Sequence, residues 1–408
     1  MRKIFDPVHG FIELSELESA LVDSSPFQRL RYIRQLGSAY LVYPGATHTR
    51  FEHSLGTMEL ATRIFDHILS IEKDTNWLEN PPYARQIIRL AALLHDTGHL
   101  PFSHTAEKAV LGPLGHESWT ASIIRSEELS FLWKKLSLDY PGRDIEGDLI
   151  ALSVGGSKRK HLKLSSPFSP WHETLGQIIS GDFFGADRMD YLLRDAKYTG
   201  VSYGLFDYHQ LIEMIRILPF PSLEKLQMGI EEGGLEACEA LLVSRHFMHR
   251  RVYEYESVKS YAFHLSRYIE ALLGPNFKEV PLSTYLFWTD NEILAELRLS
   301  QRGLSQVDPQ DALALIQRNT RFRAFFLQGV EETTLQNIFK RLPEKTFLFE
   351  SLPRETKNIG SFPILRRQGD VIDSKKLLQV TIPSHTGTWC YVDPRFAPDI
   401  ERELSQYM

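Results

Sequence analysis

The chain has 408 residues, of which 43% are apolar, 11% aromatic and 24% charged. That mixture can bury one large core, or a main domain with an appendage, and excludes collagen, coiled-coil, disulfide-scaffold and wholly disordered chains. With 46 Lys and Arg against 52 Asp and Glu the net charge is -6, so no global field draws the chain to nucleic acid or an anionic membrane, and any anion site must be local.

The N-terminal stretch MRKIFDPVHGFIELSELESALV reaches a proline at Pro7 and carries acids throughout, which offers no signal-peptide core or cleavage site. No later stretch approaches eighteen uninterrupted apolar residues, so no membrane span is expected. Cys238 and Cys390 stand far apart and form no zinc-binding spacing, consistent with a reduced compartment. A soluble, cytoplasmic protein is expected.

Apolar residues recur at helical spacing through most of the first 270 positions, as in Leu60, Ile64 and Ile68. A helix is predicted to start near Ser54, directly after His53. The run ARQIIRLAALLHDTGHLPFSH is apolar on nearly all sides before Gly98 and Pro101, which predicts a buried helix ending between His95 and Thr97 with its polar end toward a cavity or ligand. Residues 154–171 read as a loop. A long helix over 236–273 places Arg245, His249 and Tyr253 on one face. Beyond Pro275, prolines punctuate shorter elements, and LLQVTIPSH and TWCYVDP read as strands. The expected fold is mainly α with a smaller α+β C-terminal region, divided into 1–274 and 275–408.

An imidazole beside a carboxylate, His95-Asp96, can ligate a divalent cation, although the dipeptide alone is weak evidence. HTRFEHSLGT adds His53 and Arg50, and SGDFFGADRMDYLLRDAKYTG adds Asp187, Asp190 and Asp195. Taken singly, His53 is more often a cap or a satisfied buried group, and Asp187 a turn former. Together His53, His95, Asp96 and Asp187 form a mixed nitrogen and oxygen set suited to a metal with open positions. His99, His104 and His116 lie nearby with Glu107 and Glu117, and a histidine paired with a carboxylate suits a general acid. Arg29, Arg31, Arg34 and Arg50, then Arg188, Arg245, Arg250 and Arg251, could match phosphate oxygens. A solvated helix face is the plainer reading for Arg250 and Arg251. Metal, acid and arginines together point to phosphoester or phosphoanhydride hydrolysis. No Walker-type loop, HExxH or GxSxG is present.

The runs FQRLRYIRQLGSAYLVYPGATHTRFEHSLG, LAALLHDTGHLPFSH, GHE at 115–117, ADRMDYLLRD and FMHRRVYEYE, in that order, resemble the HD-domain deoxynucleoside triphosphate triphosphohydrolases, most closely the branch of the vertebrate SAM- and HD-domain-containing dNTPase and its bacterial relatives. The resemblance covers about residues 3–270. It implies an HD-domain helical fold in which His53, His95, Asp96 and Asp187 hold a divalent metal ion, whether Mn, Fe, Mg, Co, Ni or Zn. It assigns His104, His116 and Glu107 to an acid relay, and Arg50, His99, Arg188, Tyr191 and Arg245 to the triphosphate. Gln35 and Leu36 match the pair that reads the sugar, Gln35 bonding the 3′-hydroxyl and Leu36 excluding a 2′-hydroxyl. Asp195 also meets the 3′-hydroxyl, Tyr253 borders the nucleoside with His249 on the same face, and Glu254 stands where a glutamine is expected near the base. Asp23, Gln28 and Arg31 match positions that bind a regulatory guanine nucleotide.

The implied reaction releases intact triphosphate from a deoxynucleoside triphosphate. A homo-oligomer, dimer or tetramer, with a nucleotide activator is implied, and no membrane or extensive nucleic-acid surface. The chain begins directly at the resembling region, so no SAM domain is expected, and Arg188 replaces a lysine. Two other readings stay open: an HD-type phosphodiesterase or nuclease acting on another nucleotide or single-stranded DNA, and a non-catalytic nucleotide-sensing module.

Overall fold

The computed structural model describes the chain except residues 73–76, 79, 155–161, 163–168, 221–224, 319–321, 329, 331, 341–346, 352–360, 383–386 and 406–408. Helices dominate, and two of them form the centre: Arg50–Ile71 and Pro81–Leu94 pack along each other, with Ala186–Thr199 laid against the first. The second starts where Pro81 fixes the first turn and the Asn80 side chain accepts from the Tyr83 amide at 3.2 Å. From Ile87 to Leu94 every residue is buried, which explains its apolarity on all sides. It ends at Leu94, and the chain leaves through a turn carrying His95, Asp96 and Gly98.

Four sequence expectations need correction. The helix bearing His53 starts at Arg50, because Thr49 is extended and its hydroxyl bonds Glu52 in the first turn. The long 236–273 helix is broken into Leu235–Met248 and Glu256–Leu273 by a wider turn, His249–Tyr253, in which the Glu254 amide reaches back to the His249 carbonyl at 2.8 Å. Of residues 154–171, most lie outside the described residues, and Pro170 opens a helix, Pro170–Ser180, whose Ser169 hydroxyl stands 2.7 Å from His172 Nδ1. In LLQVTIPSH the described residues are irregular rather than a strand; the Gln379 and Val380 amides bond the Glu239 carboxylate at 2.6 and 3.2 Å instead of a neighbouring strand.

The remaining C-terminal strand, in TWCYVDP, is Gly387–Val392, the middle of a three-stranded antiparallel sheet with Arg323–Gln328 and Phe347–Ser351. A second sheet joins the two halves of the chain. Its hairpin Ile215–Phe220 and Lys225–Glu231 takes up Pro363–Leu365 in parallel, pairing Ile230 with Ile364, and Val371–Asp373 completes it. Helices Leu282–Phe287, Asp290–Gln301 and Pro309–Ile316 fill the space between, the last two packed on each other and Pro309–Ile316 also on Glu256–Leu273. The fold is therefore mainly α with an α+β C-terminal region. No helix among the described residues is long and apolar enough to cross a membrane.

The N-terminal hairpin, Arg2–Asp6 with Gly10–Leu14, leads into Glu16–Val22, whose Ser15 and Glu18 form a capping box. Glu18 is nearly inaccessible and takes Arg89 through two bonds of 2.6 and 2.9 Å. Burial opposes its ionised form, yet Arg89 and Ser15 hold it below the usual carboxylate range. A depressed carboxyl stabilises the fold fully above its unfolded value of about 4.5 and loses that contribution as pH falls through the lower folded value. Arg89→Met leaves the acid buried without its cation and is expected to lower unfolding free energy by about 3–5 kcal/mol. Urea denaturation at pH 7 and pH 3.5 checks this, with a smaller deficit at the lower pH.

Candidate functional site

Three helix ends meet at the site. His53 lies in the first turn of Arg50–Ile71, Asp187 in the first turn of Ala186–Thr199, and His95 with Asp96 just past Leu94. Donor atoms of His53, His95 and Asp187 lie within 4.8 Å of one another. His53 Nε2 is 3.1 Å from Asp187 Oδ1 and 3.5 Å from Asp96 Oδ2. His95 gives its Nδ1 to the Ala92 carbonyl at 2.7 Å, so its Nε2 is the atom that faces the acids, 3.4 Å from Asp96 and 3.7 Å from Asp187. That nitrogen is buried and makes no hydrogen bond among the described residues. A buried imidazole nitrogen left over between two carboxylates fits a divalent cation, and the mixed donor set suits a borderline metal.

The electrostatics agree with that fit. Against burial, hydrogen bonds that His53 donates to Asp187 and Asp190 raise it to about 10. Burial likewise opposes a charged His95, but Asp96 and Asp187 raise it. Asp187 is held below the carboxylate range by the imidazoles of His53 and His95, against the cost of its partial burial. The acids thus attract positive charge into the gap, and a proton on His53 competes with a metal for it.

Behind His53 lies a polar network that the sequence reading named only in part. His53 Nδ1 meets Asp190 Oδ2 at 2.7 Å, and the buried His9 meets Asp190 Oδ1 at 2.6 Å. Arg194 donates two bonds of 2.9 Å to the same carboxylate and one of 2.8 Å to Asp6, which accepts the amides of Val8 and His9. The signal was present as Asp190 and Arg194 at i, i+4 and as the Asp6 to His9 turn, but only the fold joins them.

A second cluster sits beside the first. Donor atoms of His99, His104, Glu107 and His116 also lie within 4.8 Å of one another. Glu107 is 2.5 Å from His104 Nδ1 and 2.8 Å from His116 Nδ1, and also accepts the His116 amide at 2.9 Å. The two imidazoles hold it well below the carboxylate range in spite of burial. His99 stacks on His116 at 3.6 Å and stands 3.2 Å from Asp96. Burial and the Arg50 charge push His99 well below its ordinary value, so it is neutral.

Both clusters open on one cavity of about 1010 Å³, lined among others by Gln35, Leu36, Arg50, His95, Asp96, His99, His104, His116, Asp187, Tyr191, Asp195, His249 and Tyr253. Arg50 bonds both Asp96 and Ser103, the latter at 2.8 Å. Asp195 is clasped by His48 at 2.7 Å and the Tyr253 hydroxyl at 2.8 Å; burial and Asp195 raise Tyr253 well above its ordinary value, so it donates. Arg188 and Arg245 do not line the cavity: Arg245 lies beside Tyr191, burial and the Arg188 charge lower it, and Arg188 Nε is buried without a hydrogen bond among the described residues. Glu254 follows the His249–Tyr253 turn outside the lining.

The early arginine run divides. Arg29 is buried and bonds the carbonyls of His99 and Trp288, Arg31 lies on the Phe51 ring, and Arg34 pairs with Asp290 at 3.3 Å, which leaves Arg50 as the cavity arginine. Asp23, Gln28 and Arg31 are not brought to the cavity; Asp23 pairs with Arg2 at 2.6 Å and Gln28 with the Val22 carbonyl at 2.7 Å.

Residues 50–153 match the model of the HD domain. The chain is 35% identical over 349 residues to the uncharacterized protein MJ1154 of Methanocaldococcus jannaschii, covering 85% of this chain and 65% of that one. It is 31% identical over 274 residues to the bovine (Bos taurus) deoxynucleoside triphosphate triphosphohydrolase SAMHD1, covering 63% of this chain and 45% of that protein. The chain thus spans less than two thirds of the length of these curated relatives. A crystal structure of a hypothetical protein from Aquifex aeolicus superposes with a TM-score of 0.77 at 31% identity, covering 99% of both chains.

The polar network leaves no room at Gly56, where a Cβ would overlap the Asp190 carboxylate and the Arg194 guanidinium. Gly56→Ala is therefore expected to lower unfolding free energy by about 3 kcal/mol through overpacking of a buried ion pair. Urea denaturation measures it, with a parallel weakening of Mn²⁺ binding because His53 loses its orientation.

Proposed function

The chain belongs to the HD-domain, dNTPase-like family, and we propose that it hydrolyses deoxynucleoside triphosphates to deoxynucleoside and inorganic triphosphate in a metal-dependent reaction. The observation that carries this reading is the unpartnered, buried His95 Nε2 in its acid-lined gap, one wall of a cavity whose other wall is the His104–Glu107–His116 group. His53, His95, Asp96 and Asp187 would hold the cation. When bound it neutralises phosphate charge and makes water acidic enough to serve as nucleophile near neutral pH.

The chain's own groups account for the rest of the step. Glu107 engages Nδ1 of His104, so Nε2 is the atom left to protonate the departing 5′-oxygen, while His116 shares the same carboxylate. Neutral His99 and charged Arg50 border Asp96, where a phosphate can reach both. Arg188 and Arg245 repel each other beside Tyr191, a repulsion that a polyphosphate relieves. Gln35, Leu36, Asp195, His249 and Tyr253 form the sugar end of the cavity in this reading, with Glu254 toward the base. Leu36 would exclude a ribose hydroxyl by contact. A homo-oligomer activated by a nucleotide at Asp23, Gln28 and Arg31 is part of the same proposal.

Incubation with each deoxynucleoside triphosphate, singly and mixed, in Mn²⁺, Mg²⁺, Co²⁺ or Fe²⁺ should release intact tripolyphosphate, and Asp96→Ala should abolish it. Pyrophosphate, orthophosphate or oligonucleotide ends as products would move the protein to another HD phosphohydrolase activity. His104→Ala is expected to lower kcat by about 10²–10⁴-fold with KM nearly unchanged, the size of a lost general acid. Steady-state kinetics of tripolyphosphate release read this out.

A further inference from the structure

We propose that residues 285–290 of the C-terminal region clamp the 98–103 turn of the catalytic site, and that Asp290 is a positioning residue for Arg50 and Gln35. The inference rests on the functional reading above. Phe102 and Ser103 both adopt left-handed backbone conformations, with φ of 57° and 58°, which side chains at these positions disfavour and which persist only where surroundings hold them.

What holds them is a closed circuit of bonds. Asp290 Oδ1 accepts the Phe102 amide at 2.6 Å and Oδ2 accepts the Arg34 amide at 3.0 Å. The Ser103 hydroxyl donates to the Arg34 carbonyl at 2.6 Å and accepts from Arg50 Nε at 2.8 Å. Asp290 therefore joins the strand of chain that ends in Gln35 to the turn that seats Arg50, and Arg50 in turn bonds Asp96. Two further contacts reach the same turn. The Tyr285 hydroxyl donates to the Gly98 carbonyl, and Arg29 bridges the His99 carbonyl, at 2.9 Å, to the Trp288 carbonyl, at 2.8 Å. Asp290 is buried, and burial raises its carboxyl to about 6 in spite of these amides and Arg34. Keeping the ionised form there costs stability.

The test uses the full chain with Asp290→Asn and Tyr285→Phe. Asparagine turns one acceptor into a donor facing an amide, and phenylalanine removes the hydroxyl while keeping the ring on Trp119, where the two rings stack at 3.8 Å. Expected are a kcat lower by about tenfold or more for Asp290→Asn and by about threefold for Tyr285→Phe, the scale of a misplaced catalytic group. KM should rise as Arg50 and Gln35 are displaced, Mn²⁺ affinity by calorimetry should stay within about twofold, and amide exchange at Phe102 and Ser103 should speed up while helix 50–71 is unchanged. Unchanged kcat in both variants, or a loss that tracks lowered Mn²⁺ affinity and general unfolding, overturns the proposal. If Asp290→Asn does not fold, Tyr285→Phe decides by the same readouts. A wild type that releases no tripolyphosphate refutes the functional reading instead, while exchange at Phe102 and Ser103 still judges the clamp.

Discussion

The site depends on one saturated carboxylate. Asp190 receives His9 and Arg194 on one oxygen and His53 and Arg194 on the other. A buried ion of this kind is tolerated only when its charge is paired and its lone pairs are filled, and here both conditions hold. The consequence is directional. With Nδ1 committed to Asp190, His53 can offer only Nε2, and that atom faces Asp187 and Asp96. Such an outer partner sets the tautomer and the basicity of a metal-binding imidazole. Because Arg194 also binds Asp6, and His9 follows from the same turn, the N-terminal hairpin becomes part of the site's frame without touching its cavity.

Around this frame, environment divides five histidines into roles that composition alone would not separate. Acids raise His53 and His95, so without a cation these rings attract protons. His99 lies only three residues beyond Asp96, but Arg50 and its burial keep it neutral. His104 and His116 instead share Glu107, whose carboxyl the two rings hold well below its ordinary range in spite of burial. Two rings that attract positive charge, one neutral ring and two that share an acid are thereby set side by side around one cavity.

How much of this was legible follows from the range of each signal. His95-Asp96 could be placed because a helix apolar on every side has to stop somewhere, and Gly98 with Pro101 marks the stop. His53 and Asp187 could be grouped with that pair only by residue type and neighbourhood, since their spacing carries no periodicity that joins them, and the place of Asp195 beside the sugar came from the family resemblance alone. The helix starts at Arg50, earlier than expected, where an extended Thr49 bonds the Glu52 side chain without capping a helix amide, a weak local signal beside the apolar run that follows. The wide turn at His249–Tyr253 leaves no mark in hydrophobic spacing, because both flanking segments keep a helical period. Arg29 and Arg34 read as phosphate ligands because the Trp288 carbonyl and the Asp290 acid that bind them lie more than 250 positions away.

That last miss bears on how the chain is organised. A division near residue 274 remains the proposed frame, following the change in proline spacing. Yet Ile230 pairs with Ile364 across it, and Asp290 bonds Phe102 across it. The parallel pairing needs a long excursion of chain to return to the sheet, and such contacts form only after distant segments are already close. The strained turn at Phe102 and Ser103 would thus acquire its final shape late, when the 285–290 segment arrives. On the proposed reading, a loop completed by the C-terminal region ties activity to the presence of the whole fold, because the acceptor of the Phe102 amide, Asp290, lies outside the helical core.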